Sequence, residues 1–474
     1  MKLKCLAGAI LASLLIVLST PAMASNKALL ELFKILHEKG SITTEEYNLL
    51  RNTAAAEGQQ LETELSEIKV NLSKKPEQTS DSPSINTKGK LEIKSADGEH
   101  KFRIGGRLQY DSTFVSTDGN YTDDNGSSET QFRRARVYLS GTFAKDWDFK
   151  FQYDFEDTQD SDQAIEDAYI RYTGWPADIT LGQRKAPYSM NELTSSKYIA
   201  FIERSFVSEL FNNASLGVGN RNMGVTMTRK HGNFLLEGGY YALRTPGGGE
   251  VDFDDGHGFT GRAVWADYDK SARTLLHVGI SGGLRKYANG SVSRFRVRPN
   301  VSEGARLIDS DGALAADQYH AMNLNVAAMY QRFWANAEYF RGSFDLAQRA
   351  LGDDDMDGLI LQGGIFLTDD SRRYKNGAWD SVKVKTPFGE KGWGAWEVAF
   401  RYDQAKIGAS LHRGADAEEA SAFTAALNFY PINNVRLQAN YIRTFCDNTE
   451  ICAKRTASPA VPDAPETTSP RRIG

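Results

Sequence analysis

From about residue 89 onward, apolar and polar side chains alternate with a period of two, in runs about ten residues long. Phe102, Ile104, Leu108 and Tyr110 interleave with Arg103, Arg107, Gln109 and Asp111. Trp147, Phe149, Phe151, Tyr153 and Phe155 interleave with Asp148, Lys150, Gln152, Asp154 and Glu156. Trp396, Val398, Phe400 and Tyr402, and later Val435, Leu437, Ala439 and Tyr441, repeat the pattern. A period of two sorts residues onto the two faces of a strand. About ten such residues, tilted, reach across a bilayer.

A soluble sandwich alternates too, so the connections decide. Short turns fall near 143–146, 174–177, 231–232, 269–272, 330–332 and 431–432. Long polar loops fall near 116–130, 157–164, 186–220, 244–256, 288–316, 344–356 and 405–418. Long connections at one end and short ones at the other belong to outer-membrane barrels. Residues 368–392 break the rule, being long and Lys-rich where a periplasmic turn is due. About fifteen runs lie between 101 and 443, enough to leave a water-filled lumen. The expected fold is all-β: a transmembrane antiparallel β-barrel of about 16 strands over 89–443.

The rest of the chain fits export. Lys2 and Lys4, the apolar run Leu11 to Leu18, and Ala22-Met23-Ala24 read as a signal peptide over 1–24. No later stretch offers about 18 consecutive apolar residues, which excludes a helical membrane protein. Residues 25–75 have helical spacing, with Gly40 as a stop and Thr43-x-x-Glu46 as a capping box. That segment reads either as a short coiled-coil periplasmic stalk or as a hairpin packing on itself. Residues 76–88 read as a linker. The net charge of −5 argues against nucleic acid as a partner. Three Cys and seven scattered His give no metal site, and no catalytic arrangement or cofactor motif is legible. Asp353-Asp-Asp355-Met-Asp357-Gly358 begins like a calcium loop, but its twelfth position is Gly364.

Several local patterns also resemble the phosphate-selective porin O/P family. They are Phe102-Arg-Ile-Gly-Gly-Arg107-Leu-Gln-Tyr-Asp111, Phe132-Arg133-Arg134-Ala-Arg136, Asp167-Ala-Tyr169, Leu181-Gly182-Gln183, Thr194-Ser195-Ser196-Lys197, Glu203-Arg204 and Gly394-Ala-Trp396-Glu397. The likeness runs in consistent order from about 86 to 443. It implies a sixteen-stranded, trimeric outer-membrane channel for anions, set in outer-membrane lipid and inserted by the assembly machinery. It also implies an anion-binding constriction at Arg107, Arg133, Arg134, Ser195, Ser196 and Arg204. Glu166 matches the family's constriction acid. The chain departs from the pattern at Glu192 and Asp148, where phosphate-selective members carry Lys. A carboxylate in a narrow passage repels phosphate.

Basic residues outside the strands add to this. Arg285, Lys286, Arg294, Arg296, Arg298 and Arg306 outnumber Glu303, Asp309 and Asp311 in and before loop 288–316. Arg294-Phe-Arg296-Val-Arg298 puts three guanidiniums on one side of an extended segment, each able to grip an oxyanion. The expected role is an anion funnel; a solvated or lipopolysaccharide-binding loop is the other reading. Lys375, Lys383 and Lys385 in the irregular connection are expected to draw anions out on the periplasmic side. The function expected is passive uptake of small anions, phosphate or related oxyanions first. A general, weakly selective porin is the alternative, and a secreted β-rich adhesin or carbohydrate-active protein a more distant one. Residues 444–474 hold four of the 13 Pro. Proline cannot donate to a ladder, so this tail is expected to make a poor closing strand and the chain to assemble poorly.

Overall fold

The computed structural model describes residues 30–73, 82–87, 91–116, 128–156, 164–213, 216–242, 256–287, 290–301, 306–310, 312–346, 355–389, 391–411 and 417–447. The signal segment, the ends of the helical segment (25–29 and 74–75), residues 76–81 and 88 of the linker, and the tail from 448 lie outside these. The chain divides into two units, Met1–Ser82 and Pro83–Gly474.

In the first unit, helix α1 (residues 30–38) and helix α2 (Thr44–Ser73) are joined by a tight connection. Gly40, at φ 70°, ends α1: its N–H bonds the His37 carbonyl, and the Ser41 N–H bonds that of Leu36. Thr43 and Glu46 then cap α2 reciprocally, the Thr43 N–H donating to Oε2 at 2.9 Å and the Glu46 N–H to Oγ1 at 3.2 Å. His37 meets Thr44 at 3.1 Å and packs on the Tyr47 ring, which closes the corner.

The second unit begins with two short strands, β1 (Ser84–Asn86) and β2 (Leu91–Lys94), which pair with each other. Then come β3 (Lys101–Phe114), β4 (Ser128–Phe143), β5 (Trp147–Asp154), β6 (Ile165–Tyr172), β7 (Asp178–Lys185), β8 (Arg221–His231), β9 (Phe234–Ala242), β10 (Gly256–Asp269) and β11 (Thr274–Tyr287). A two-rung hairpin, β12 (Arg296–Val297) and β13 (Ile308–Asp309), interrupts the series. It resumes with β14 (Ala316–Tyr330), β15 (Phe333–Leu346) and β16 (Asp355–Phe366). A second hairpin, β17 (Arg373–Lys375) and β18 (Ala378–Asp380), precedes β19 (Ala395–Ile407), β20 (Glu418–Ile432) and β21 (Val435–Asp447). Between α2 and β21 the chain also forms two short helices, α3 (Met190–Leu193) and α4 (Phe206–Phe211), both between β7 and β8.

Apart from the two hairpins, every strand pairs antiparallel with the next, giving one 17-stranded meander. Fifteen of its strands are long, and the short and long connections alternate where the sequence placed them. The sheet wraps around, because Arg134 of β4 and Arg401 of β19 both donate to Glu203, Arg134 to its carboxylate and Arg401 to its carbonyl. In an antiparallel meander the first and fifteenth long strands, β3 and β21, run the same way. Antiparallel closure therefore takes a sixteenth strand between them, and β2 fills that place only beside Lys101–Ile104. Among the described residues no ladder joins β21 to β1–β3, so the wall is open at this seam.

Two boundaries differ from the sequence reading. Ser84–Asn86, taken as linker, is a strand because Ile85 and Ile93 stand opposite each other across a ladder. The last strand continues past Arg443 to Asp447, with Phe445 prolonging its exposed face. Cys446 is disulfide-bonded, as suits an oxidising compartment.

The apolar residues of the alternation point outward. Leu108, Leu276, Val278, Leu324, Val326, Leu361 and Phe400 are all exposed, while Asn323, Asn325 and Arg401 on the same strands are buried. On β15 the outward face is apolar or aromatic from Phe333 to Tyr339 and then meets Arg341. Arg341 stands in register with Asp357, Asp357 with Lys406, and Lys406 with Glu419, a charged row that ends the belt. Seven residues at strand rise and barrel tilt make that belt just under about 20 Å tall. Rings gather at the short-turn end: Phe143 with Trp147, Trp147 with Tyr172, and Trp396 with Phe429. This is the aromatic edge of a membrane-facing surface. Among the described residues, no helix is long and apolar enough to cross a membrane.

Candidate functional site

The inner face is divided. On the β11–β20 side the loops pack on it: Phe206, Val207, Leu210 and Phe211 of α4 bury against Phe340, Met356 and Ile360, among buried polar residues such as Glu338, Arg401 and Asn428. On the β3–β9 side it is charged and faces an open cavity of about 1020 Å³.

Two β-bulges build the charged side. Tyr110 pairs with Phe132 and Gln109 with Arg134, which leaves Arg133 as the extra residue. Strict alternation would turn one of Arg133 and Arg134 outward; the bulge turns both inward. Both donate to the Glu203 carboxylate, Arg133 Nε at 2.6 Å and Arg134 Nη2 at 3.0 Å. The second bulge does the same for acids. Gln152 pairs with Asp167 and Tyr153 with Ile165, so Glu166 is extra and faces inward beside Asp167. Glu166 pairs with Arg136 and Arg221, and Asp167 with Lys150 and Arg221.

The long connection 186–220 lies inside the sheet, and its irregular backbone needs partners there. Side chains of the wall and of the 368–392 connection supply them. Arg436 donates to the carbonyls of Ile199 and Ser196, Arg372 to that of Tyr198, and Asn428 to that of Ala200. Glu338 of β15 captures the start of α3, accepting from Ser189 Oγ at 2.8 Å, the Met190 N–H at 3.0 Å and the Asn191 N–H at 2.7 Å. The second loop joins the first through Asn300. Its Oδ1 caps α4 at the Phe206 N–H (2.7 Å), and its Nδ2 donates to Asp403 of β19 (2.8 Å).

Arg107, Arg133, Arg134, Ser195, Ser196, Arg204, Arg296, Arg298, Arg306 and Lys375 all line the one cavity. Arg107 donates to Ser196 Oγ, and its Nε has no hydrogen-bond partner among the described residues. Arg306 is pushed down to about 10, by burial first and then by Arg298 and Arg296. Lys197 joins the lining, 4.9 Å above the Tyr138 ring, and burial followed by Arg107 pushes it down to about 8.

Other expected residues are elsewhere. Arg294 does not line the cavity; it pairs with Asp309 through two nitrogens, across the β12–β13 hairpin. Arg285 is fully buried and holds the carbonyls of Gly217 and Val218. Lys385 pairs with Asp369 at 2.5 Å, and Lys383 is exposed; neither lines the cavity. The irregular connection is more than a turn. Trp379 of its hairpin donates to Asn336 inside the sheet, and Tyr374 meets His277. Glu192 bridges Lys185 and Arg204; burial opposes its ionisation, yet Arg204 and Lys185 hold its carboxyl below the ordinary range. Asp148 pairs with Arg171.

Sequence reasoning missed the supports: Glu338, Asn300, Arg372 and Arg436. Glu338 did carry a signal, as an acid on the inward face of a strand whose other inward residues include Trp334 and Phe340.

A strand wall apolar outside and polar within, holding long loops in its lumen, defines an outer-membrane porin. The family model described as phosphate-selective porin O and P matches residues 102–456. The chain belongs to that family, and its place is the outer membrane of a Gram-negative bacterium. It is 29% identical over 398 residues to Porin O of Pseudomonas aeruginosa, covering 77% of this chain and 87% of that one. It is 27% identical over 358 residues to an uncharacterized protein of Caulobacter vibrioides, covering 73% and 68%. Among solved structures, in-vitro folded OmpT of Vibrio cholerae aligns with a TM-score of 0.47 at 10% identity, covering 73% of this chain and 88% of that chain.

Proposed function

We propose that this porin passes small anions, with phosphate and related oxyanions as its leading cargo, and that it works as a homotrimer exported by its signal segment. One observation carries the reading. Among the described residues, sixteen Lys or Arg line the cavity against seven Asp or Glu, in a protein whose net charge is −5. Positive charge concentrated in a narrow, low-dielectric passage raises the local anion concentration. Arg296, Arg298 and Arg306 form the approach, and Arg107, Arg133, Arg134 and Arg204 with Ser195 and Ser196 form the constriction. Guanidiniums there grip an oxyanion, and a series of weak sites lets it leave again.

The rival reading, a general porin of weak selectivity, draws on the acids. Glu203 occupies Arg133 and Arg134, and Glu192 occupies Lys185 and Arg204. Reversal potential across a planar bilayer in a potassium chloride gradient separates the readings. Anion preference with phosphate block of the chloride current is expected; cation preference overturns the proposal.

A further inference from the structure

We propose that Glu209 is a selectivity-determining carboxylate of this channel, standing between two arginine stations and competing, when ionised, with the permeating anion. The inference rests on the anion-channel reading above. Glu209 lies on α4 within the lumen loop and lines the same cavity as Arg306 and Arg204. It acts electrostatically on both stations: on Arg306 of the second loop, and on Arg133, Arg134 and Arg204 of the constriction. Unlike those of Glu192 and Glu203, its carboxylate makes no hydrogen bond or ion pair within the described residues. A carboxylate without a direct partner, in a site crowded with cations, is free to act on whatever passes.

The surroundings set when it acts. Against α4 pack β12, which carries Arg296, and β19, which carries Arg401 and Asp403 already paired to each other. β16 presents Gly358 to Val207 and Phe211 of α4. Helix α3 contributes Glu192, tied to Lys185 and Arg204. The acid that acts on it is Glu203, held low by Arg134 and Arg133 against its burial, and therefore ionised at every working pH. Burial first, and then the charge on Glu203, push Glu209 up to about 7. Below that pH it is neutral and the arginines act unopposed; above it, a negative charge enters the pathway.

The test is the chloride-to-potassium permeability ratio in bilayers between pH 5.5 and 8. Chloride is the probe because, unlike phosphate, it does not titrate there. For the wild type the ratio should fall about threefold as pH rises through 7, the scale of one charge several ångströms from the path in a wet pore. Glu209→Gln and Glu209→Ala should hold the low-pH ratio through pH 7.5, leaving only the later decline from Lys197. Glu209→Asp should keep the fall. A wild-type profile in both neutral variants overturns this inference and leaves the anion channel standing. Cation preference in all proteins at every pH overturns the anion channel, and this inference with it.

Discussion

The role of a carboxylate in this lumen is decided by what it touches. Glu203 lies beneath Arg133 and Arg134 and fixes where both guanidiniums sit. Glu192 sits at the cavity surface and holds Lys185 and Arg204 away from a passing anion. Glu192→Gln removes the charge, keeps the shape, and returns both cations to the pathway. We expect phosphate block of single-channel current to strengthen by roughly 1.5–3 kcal/mol, the range for a hydrogen bond to a charged group. Unchanged block would mean that the ion path avoids Lys185 and Arg204. The alternation marked Arg107 and Arg134 as facing one side. It did not reveal that Arg133 joins them, because that depends on a bulge.

Hairpin β12–β13 divides the work among arginines that are equivalent in sequence. Arg294, Arg296 and Arg298 recur every second residue, yet Arg294 is bound at two points by Asp309 while Arg296 and Arg298 line the cavity. Replacing Arg296 and Arg306 together by Ala is therefore expected to lower anion selectivity in reversal-potential measurements. Arg294→Ala is expected to loosen the hairpin and leave the ratio within about 1.5-fold of wild type, as loss of a remote screened charge would. Equal effects from the two changes would refute this division. The irregular connection divides its lysines in the same way: Lys375 reaches the cavity, while Lys385 is bound to Asp369.

The wall as a whole is an electrostatic lens with one side covered by loops. Loops pack on the β11–β20 inner face, which confines water and ions to the cationic β3–β9 face. Much of that charge is water-accessible, so salt must screen it. The Debye length falls from about 10 Å at 0.1 M to about 3 Å at 1 M. We expect the anion-to-cation permeability ratio to drop severalfold between those concentrations, and a ratio independent of salt would refute a selectivity set by the lumen field.

The sequence by itself determined the strands, their length, the outward face and the alternation of short and long connections. Each follows from a local rule: a period of two matched to a bilayer on one face and water on the other. It also placed Ser195, Ser196 and Arg204 in one loop. Which cations line the channel was decided only by tertiary structure. Arg285 and Arg294 read as anion ligands until a buried carbonyl pair and Asp309 take them. Glu338 and Asn300 read as ordinary strand and loop residues until the lumen loops come to rest on them. A charged side chain in a closed space is governed by its partners, and here those partners are often a hundred residues or more away in the chain.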